Sequence, residues 1–278
     1  MSTPRGLGLL APALLLVCVL FIVPLVRLAG LSLGETTLSL HAYAELFGAW
    51  SYGGILLRTL RISAAVVVGC LLLGYPIGYV LAFSTPRRRA LLSLLVLLPF
   101  WTSVLVRNFA WIYLLRDGGV ASSFAGTLVG SDQPVQLLYN EIGVMIGMIN
   151  TLLPFSVFPV FVALAAQERT LREAAASLGA SPARVFWTVT LPLSRAGIYA
   201  GALLAFATAL GFFITPALLG GGRVLMAATF ITQQVEEFLN WPLAAAASLI
   251  LLAAVMILVA LYRRIAAFNL PGGEHAAG

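Results

Sequence analysis

The chain has 278 residues, 61% hydrophobic and only 9% charged, with a mean hydropathy of +1.02. Soluble domains carry about 25% charged residues, so a surface facing mostly water is excluded and the composition is that of a polytopic membrane protein. The formal charge of +6 comes from 16 basic residues, all arginine. They cluster at the ends of apolar runs, a pattern of membrane topology rather than of a nucleic-acid footprint.

Six stretches meet the requirement of about 20 mostly apolar residues per membrane helix. They cover approximately 7–26, 60–83, 90–114, 142–165, 196–219 and 242–262. Lipid offers no partner to backbone polar groups, so each is expected to be a helix, in an all-α fold that forms a single domain over 1–278. The first run, Leu7 to Val26, follows Arg5 and is long for a signal-peptide core, so it is expected to be retained. The connection 30–58 contains "LSLHAYAELFGAW", too short to span and expected to form a surface helix. Arg87, Arg88 and Arg89 follow Pro86 in the short turn between the second and third runs. Residues 115–141 are polar and rich in Gly and Ser, with Asp117, Asp132 and Glu141. The connection between the fourth and fifth runs holds Arg169, Arg172, Arg184 and Arg195, and the sixth run ends in Arg263 and Arg264. The remaining connections are poorer in arginine, and 220–241 adds Gln233, Gln234, Glu236 and Glu237. The positive-inside rule therefore places both termini and residues 167–192 in the cytoplasm.

Catalytic chemistry finds little footing. Cys18 and Cys70 lie inside apolar runs, and His41 and His275 are isolated, which argues against a disulfide framework or a metal site. There is no GxxxxGK[ST] phosphate loop, no HExxH, and no Ser, His and Asp set inside the runs. The chain reads as a transport subunit rather than an enzyme. Secondary carriers keep ionisable groups within their spans. Here Arg107 is the main one, with Glu141 at the edge of its run, so the driving energy is expected to come from outside the chain. Arg107 either faces a pathway or snorkels to the outer interface.

Residues 167–192, "QERTLREAAASLGASPARVFWTVTLP", interrupt this apolar pattern. Thr170 with Glu173 three residues later reads as a capping box, and Ala174, Ala175 and Ala176 favour helix. Gly179 can end that helix in the left-handed conformation. Ser181 can cap a second helix with Pro182 at its first position. Val185, Phe186, Val189 and Leu193 then share one face, and Pro192 marks the bend into the next span. On these grounds the segment is two short helices, either a plain connection with an interfacial helix or a docking element.

The same segment resembles the signature of ABC-importer permease subunits: Glu-Ala-Ala, three residues, Gly, nine residues, a hydrophobic residue, one residue, Leu-Pro. Glu173, Ala174, Ala175, Gly179, Val189, Leu191 and Pro192 keep every interval. Further stretches are similar to permeases of the spermidine/putrescine type, and to their first permease subunit in particular: "LLPFWTSVLVRNFAWIYLL" (97–115), "GMINTLLPFSVFPVF" (147–161), "GFFITPALLGGG" (211–222) and "NWPLAAA" (240–246). The resemblance implies the six-span type I importer permease fold in a bacterial inner membrane. It implies a coupling loop built on Glu173, Ala174, Ala175, Leu178, Gly179, Ala180, Leu191 and Pro192, docking onto a dimer of cytoplasmic ATPases. ATP and Mg would belong to that partner, with no cofactor in this chain. A second, different permease subunit and an extracytoplasmic solute-binding protein are the other implied partners, with no nucleic acid.

A polyamine is the first expected solute. Polycations favour aromatic faces, and Phe100, Trp101, Trp111 and Phe155 could supply them or could serve in packing. Asn108, Asn150 and Thr151 could line a path or join helices by hydrogen bonds. Arg107 would repel a polyamine and would suit an anionic, amino-acid-like, opine or phosphonate solute instead. A secondary carrier and a non-transporting membrane scaffold are the remaining alternatives.

Overall fold

Runs of apolar residues that must satisfy their own backbone fold as helices throughout the computed structural model, which describes residues 4–34, 39–48, 50–130 and 135–269. Asp132 and His275 lie outside the described residues. In chain order the helices are α1 (Pro4–Ser32), α2 (His41–Gly48), α3 (Trp50–Phe83), α4 (Pro86–Trp101), α5 (Val104–Leu115), α6 (Val120–Val129) and α7 (Glu141–Ala165). The short helices α8 (Arg169–Ser177), α9 (Pro182–Val185) and α10 (Leu191–Leu193) follow, then α11 (Arg195–Leu210), α12 (Ile214–Gly220), α13 (Ala227–Glu236) and α14 (Trp241–Asn269). No strand occurs among the described residues.

Among the described residues, four helices are long and apolar enough to cross a membrane alone, over Leu15–Ser32, Tyr52–Phe83, Glu141–Ala165 and Trp241–Tyr262. Six spans result if each of two bent helix pairs counts as one. The surface helix expected within 30–58 is α2.

Two of the six runs are not the continuous helices that their apolarity suggested. The run 90–114 breaks between α4 and α5, which meet at 94°. Thr102 and Ser103 are extended there, and the Thr102 N–H (3.3 Å) and Oγ1 (2.9 Å) turn back to the Pro99 carbonyl. Pro99 itself has no N–H to offer the preceding turn, which weakens the helix just before its end. The run 196–219 breaks at Gly211, Phe212 and Phe213, between α11 and α12. Hydropathy is blind to both breaks, because the residues on either side are equally apolar.

The helices fall into two units. The smaller draws on α1, α2, the start of α3 and Phe230–Ala253. In it Ala42 and Leu46 pack with Tyr52, Leu243, Ala246 and Ala247, and the Tyr52 hydroxyl donates to the Ala247 carbonyl at 3.2 Å.

The larger unit draws on Leu56–Thr229 and the end of α14, and α7 is its central helix. Buried Met148 and Leu152 of α7 meet Ile62, Val66, Leu115 and Leu219 in the main core. Small residues let the neighbouring helices approach closely. A Cβ on Gly74 would fall on Ser156, and one on Gly197 would lie 2.5 Å from the Pro159 carbonyl and 2.6 Å from the Ala163 Cβ. The Ser156 hydroxyl donates across the α3–α7 seam to the Cys70 carbonyl at 2.7 Å. At one end of α7, Glu141 pairs with Arg58 (3.5 Å) and with Arg61.

Candidate coupling loop and candidate path

The loop between α7 and α11 is ordered by local chemistry. α8 starts at Arg169, with Glu168 in the extended capping position. The expected capping box on Thr170 does not form. Thr170 lies inside the helix, with its hydroxyl 3.3 Å from a Glu168 carboxylate oxygen, and Glu173 instead accepts from Arg169 Nε at 2.7 Å. A charged donor four residues upstream outcompetes a neutral backbone N–H for that carboxylate.

The other end of α8 folds as its sequence dictates. Gly179 takes φ +83°, the left-handed region that costs glycine nothing. The Gly179 N–H donates to the Ala176 carbonyl (2.9 Å) and the Ala180 N–H to the Ala175 carbonyl (3.1 Å). This pair of bonds is a Schellman cap. Ser181 then caps α9, its Oγ accepting from the Arg184 N–H at 3.4 Å, with Pro182 at the first helical position.

Phe186–Thr190 form a π turn, in which the Leu191 N–H reaches back to the Phe186 carbonyl. Pro192 explains it. With no N–H and a bulky ring, it cannot follow Thr188 in α geometry, and the wider turn makes room. The extra residue in that turn also rotates the buried face. Val185, Phe186 and Val189 are half-buried as expected, but the face continues through buried Thr190 and Ser194, leaving Leu193 exposed. Pro182–Leu193 and α11 then meet at 58°.

Side chains from α3 and the loop itself hold this element in place. Tyr75 Oη and Ser194 Oγ are 3.1 Å apart, and the Phe186 ring sits edge-on to Tyr75 (5.9 Å) and Tyr79 (6.0 Å). Gln167 Nε2 donates to the Thr190 carbonyl at 2.9 Å, and the Arg172 guanidinium stacks 4.1 Å from the Phe83 ring centre. Of the expected coupling residues, Glu173, Ala174, Leu178 and Gly179 are exposed, while Ala175, Ala180, Leu191 and Pro192 are half-buried. Leu178 stands out at 89% exposure, at the tip beside the charged α8. Tyr75, Tyr79, Phe83, Gln167 and Arg172 carry the attachment, and the sequence reading had assigned them no part in it. Their signal was present: Tyr75, Tyr79 and Phe83 recur at four-residue spacing on one helix face.

The expected path residues do not converge. Phe100 and Phe155 meet with ring centres 5.8 Å apart and line a cavity of about 690 Å³ between α4, α7 and α11. Its other walls are apolar, among them Leu97, Phe158, Val162 and Leu204. Trp101, 71% exposed, is not among its walls. Asn108 and Trp111 lie on α5 beyond the 94° bend. Asn108 is buried and donates to the Val104 carbonyl at 2.9 Å, and Trp111 packs against the main core. Thr151 donates to the Gly147 carbonyl at 3.1 Å, and the Asn150 Oδ1 is buried without a hydrogen-bond partner. Arg107 does not line this cavity, and its Nη1 donates to the Pro99 carbonyl at 2.7 Å. The third donor on that oxygen, it ties the start of α5 to the broken end of α4.

Residues 74–268 match the family model described as binding-protein-dependent transport system inner membrane component, and the chain belongs to that family. It is 34% identical over 227 residues to the spermidine/putrescine transport system permease protein PotB of Haemophilus influenzae, covering 82% of this chain and 79% of that one. The protein of the same name from Escherichia coli is 33% identical over 213 residues, covering 77% and 78%. Among solved structures, a chain of a bacterial alginate ABC transporter, crystallised in complex with an alginate pentasaccharide-bound periplasmic protein, superposes with a TM-score of 0.78. That likeness covers 94% of this chain and 93% of the other at 16% identity, and it shows the fold to be that of an ABC importer permease.

Proposed function

We propose that this chain is one permease subunit of an ATP-driven importer in a bacterial inner membrane, and that its solute is a polyamine of the spermidine or putrescine kind. The single observation that carries the solute is the 34% identity to a spermidine/putrescine permease over four-fifths of both chains. Both termini and the loop around Glu173 face the cytoplasm in this reading, as the arginine distribution favours. Its partners are a cytoplasmic ATPase dimer, a second and different permease, and an extracytoplasmic solute-binding protein that selects the solute. ATP and Mg belong to the ATPase.

Coupling runs through residues 170–192. Leu178 presents an almost fully exposed apolar side chain where lipid is not the neighbour its charged surroundings suit, and a protein partner would cover it. Motion of that tip would pass to α3 through the Tyr75–Ser194 contact and the Phe186 ring, and to α11 through the 58° bend. ATP and solute then bias one two-state element from opposite sides. An anionic or amino-acid-like solute is the second reading and draws its support from Arg107, whose Nη1 donates to the Pro99 carbonyl while its Nε is buried without a partner.

Substitution of Glu173 by Lys tests this reading. It replaces an exposed ion pair with Arg169 by repulsion, a change worth under about 1 kcal/mol to folding. Normal amounts in the membrane with loss of both uptake and ATPase stimulation are expected. Uptake at the wild-type rate would remove the coupling role.

A further inference from the structure

We infer that the cleft between the end of α3 and α8 binds a phosphate group, supplied at the membrane surface by an anionic phospholipid. The cleft has a volume of about 600 Å³ and is lined by Tyr79, Phe83 and Ser84 on one side and Arg169, Arg172 and Glu173 on the other. Its charges are unbalanced. Glu173 is taken up by Arg169 at 2.7 Å, which leaves the Arg172 guanidinium uncompensated. Arg172 lies on the Phe83 ring, makes no hydrogen bond or ion pair with any described residue, and buries its Nε without an acceptor. A guanidinium fixed in place by an aromatic ring, with unmet donors, is pre-organised for the oxygens of a phosphate. Tyr79 lines the same cleft.

The surroundings set the source of that phosphate. Tyr79 packs against Phe83 (4.6 Å) and Phe186 (6.0 Å), and Phe186 against Trp187 (5.2 Å), which is 65% exposed. A contiguous band of Tyr, Trp and Phe edged by exposed Arg87 and Arg88 marks the depth at which lipid headgroups lie. The apolar wall of Phe83 and Ala82 suits the glycerol end of a lipid better than a fully hydrated ion. A lipid held there bridges α3 and α8. The consequence for coupling rests on the function proposed above, whereas the binding itself does not.

The test measures lipid retained by the assembled transporter without ATP, so a failure of the coupling reading leaves it unaffected. The complex is exchanged from mixed phosphatidylcholine and phosphatidylglycerol bilayers into detergent, and bound lipid is counted by native mass spectrometry. Wild type and Arg88→Gln, whose arginine does not line the cleft, are expected to retain phosphatidylglycerol. Arg172→Gln is expected to bind it about fivefold more weakly, the worth of one arginine at an anionic surface. Arg172→Lys, which keeps the charge and loses the stack, should fall between. Inorganic phosphate at matched ionic strength distinguishes the sources: persistence of the bound lipid assigns the cleft to the headgroup, and displacement assigns it to the free anion. Retention by Arg172→Gln equal to wild type would overturn the inference.

Discussion

Replacement of Gly179 isolates the conformation of the loop from its contacts. A Cβ added there meets no atom within 4 Å, so no substitution is opposed by a clash. The whole cost comes from φ +83°, which an L-residue adopts at about 1–2 kcal/mol above its right-handed alternative. That amount shifts the population of the capped turn by a factor of roughly 5–30. Asn tolerates the left-handed region, Ala less so, and β-branched Val least. ATPase stimulation in proteoliposomes of the assembled transporter is therefore expected to fall in the order Gly, Asn, Ala, Val. The thermal midpoint of the membrane part should stay constant, because the turn is exposed and contributes nothing to the core around α7. Val supporting as much stimulation as Asn would refute this reasoning, as would a midpoint that falls in step with activity.

Other perturbations follow from the same geometry. Gly197→Val drives a side chain into the Pro159 carbonyl, which cannot rotate away, and should cost about 1–3 kcal/mol, read as a lower thermal unfolding midpoint. Pro192→Ala restores a donor for the Thr188 carbonyl, so the π turn should revert to α geometry; the midpoint should hold or rise while ATPase stimulation drops. Arg107→Gln removes the charged donor from the Pro99 carbonyl, a loss of about 1.5–3 kcal/mol. Spin labels on α4 and α5 should then report a broader distance distribution across the 94° bend, with Arg107→Lys closer to wild type.

The parts of this molecule legible in its sequence are those decided within a few residues. Gly179, Ser181 and Pro182 fall where local backbone chemistry puts them, and the six apolar runs mark the helices because lipid allows their backbone little else. Thr170 was misplaced for a reason equally local, the competing Arg169 four residues before Glu173. The breaks after Pro99 and Leu210 were hidden because hydropathy averages over them, although Pro99 with Thr102 and Ser103, and Gly211, were their marks. The path candidates were the least legible. Which face of α4, α5 or α7 meets a neighbour depends on how helices distant in sequence pack. That packing buried Asn108, exposed Trp101 and turned Arg107 back on its own chain. The attachment of the loop to α3 had the same origin, since Tyr75 reaches Ser194 across 119 residues of sequence.

Uptake of labelled spermidine by proteoliposomes that hold the assembled transporter, with ATP held constant while an uncoupler is added, tests the central claim most directly. Accumulation that continues in the uncoupler, stops when Mg-ATP is withdrawn, and is absent with Glu173→Lys is the expected result. Accumulation that collapses with the ion gradient while ATP is unchanged would contradict it and make the chain a secondary carrier.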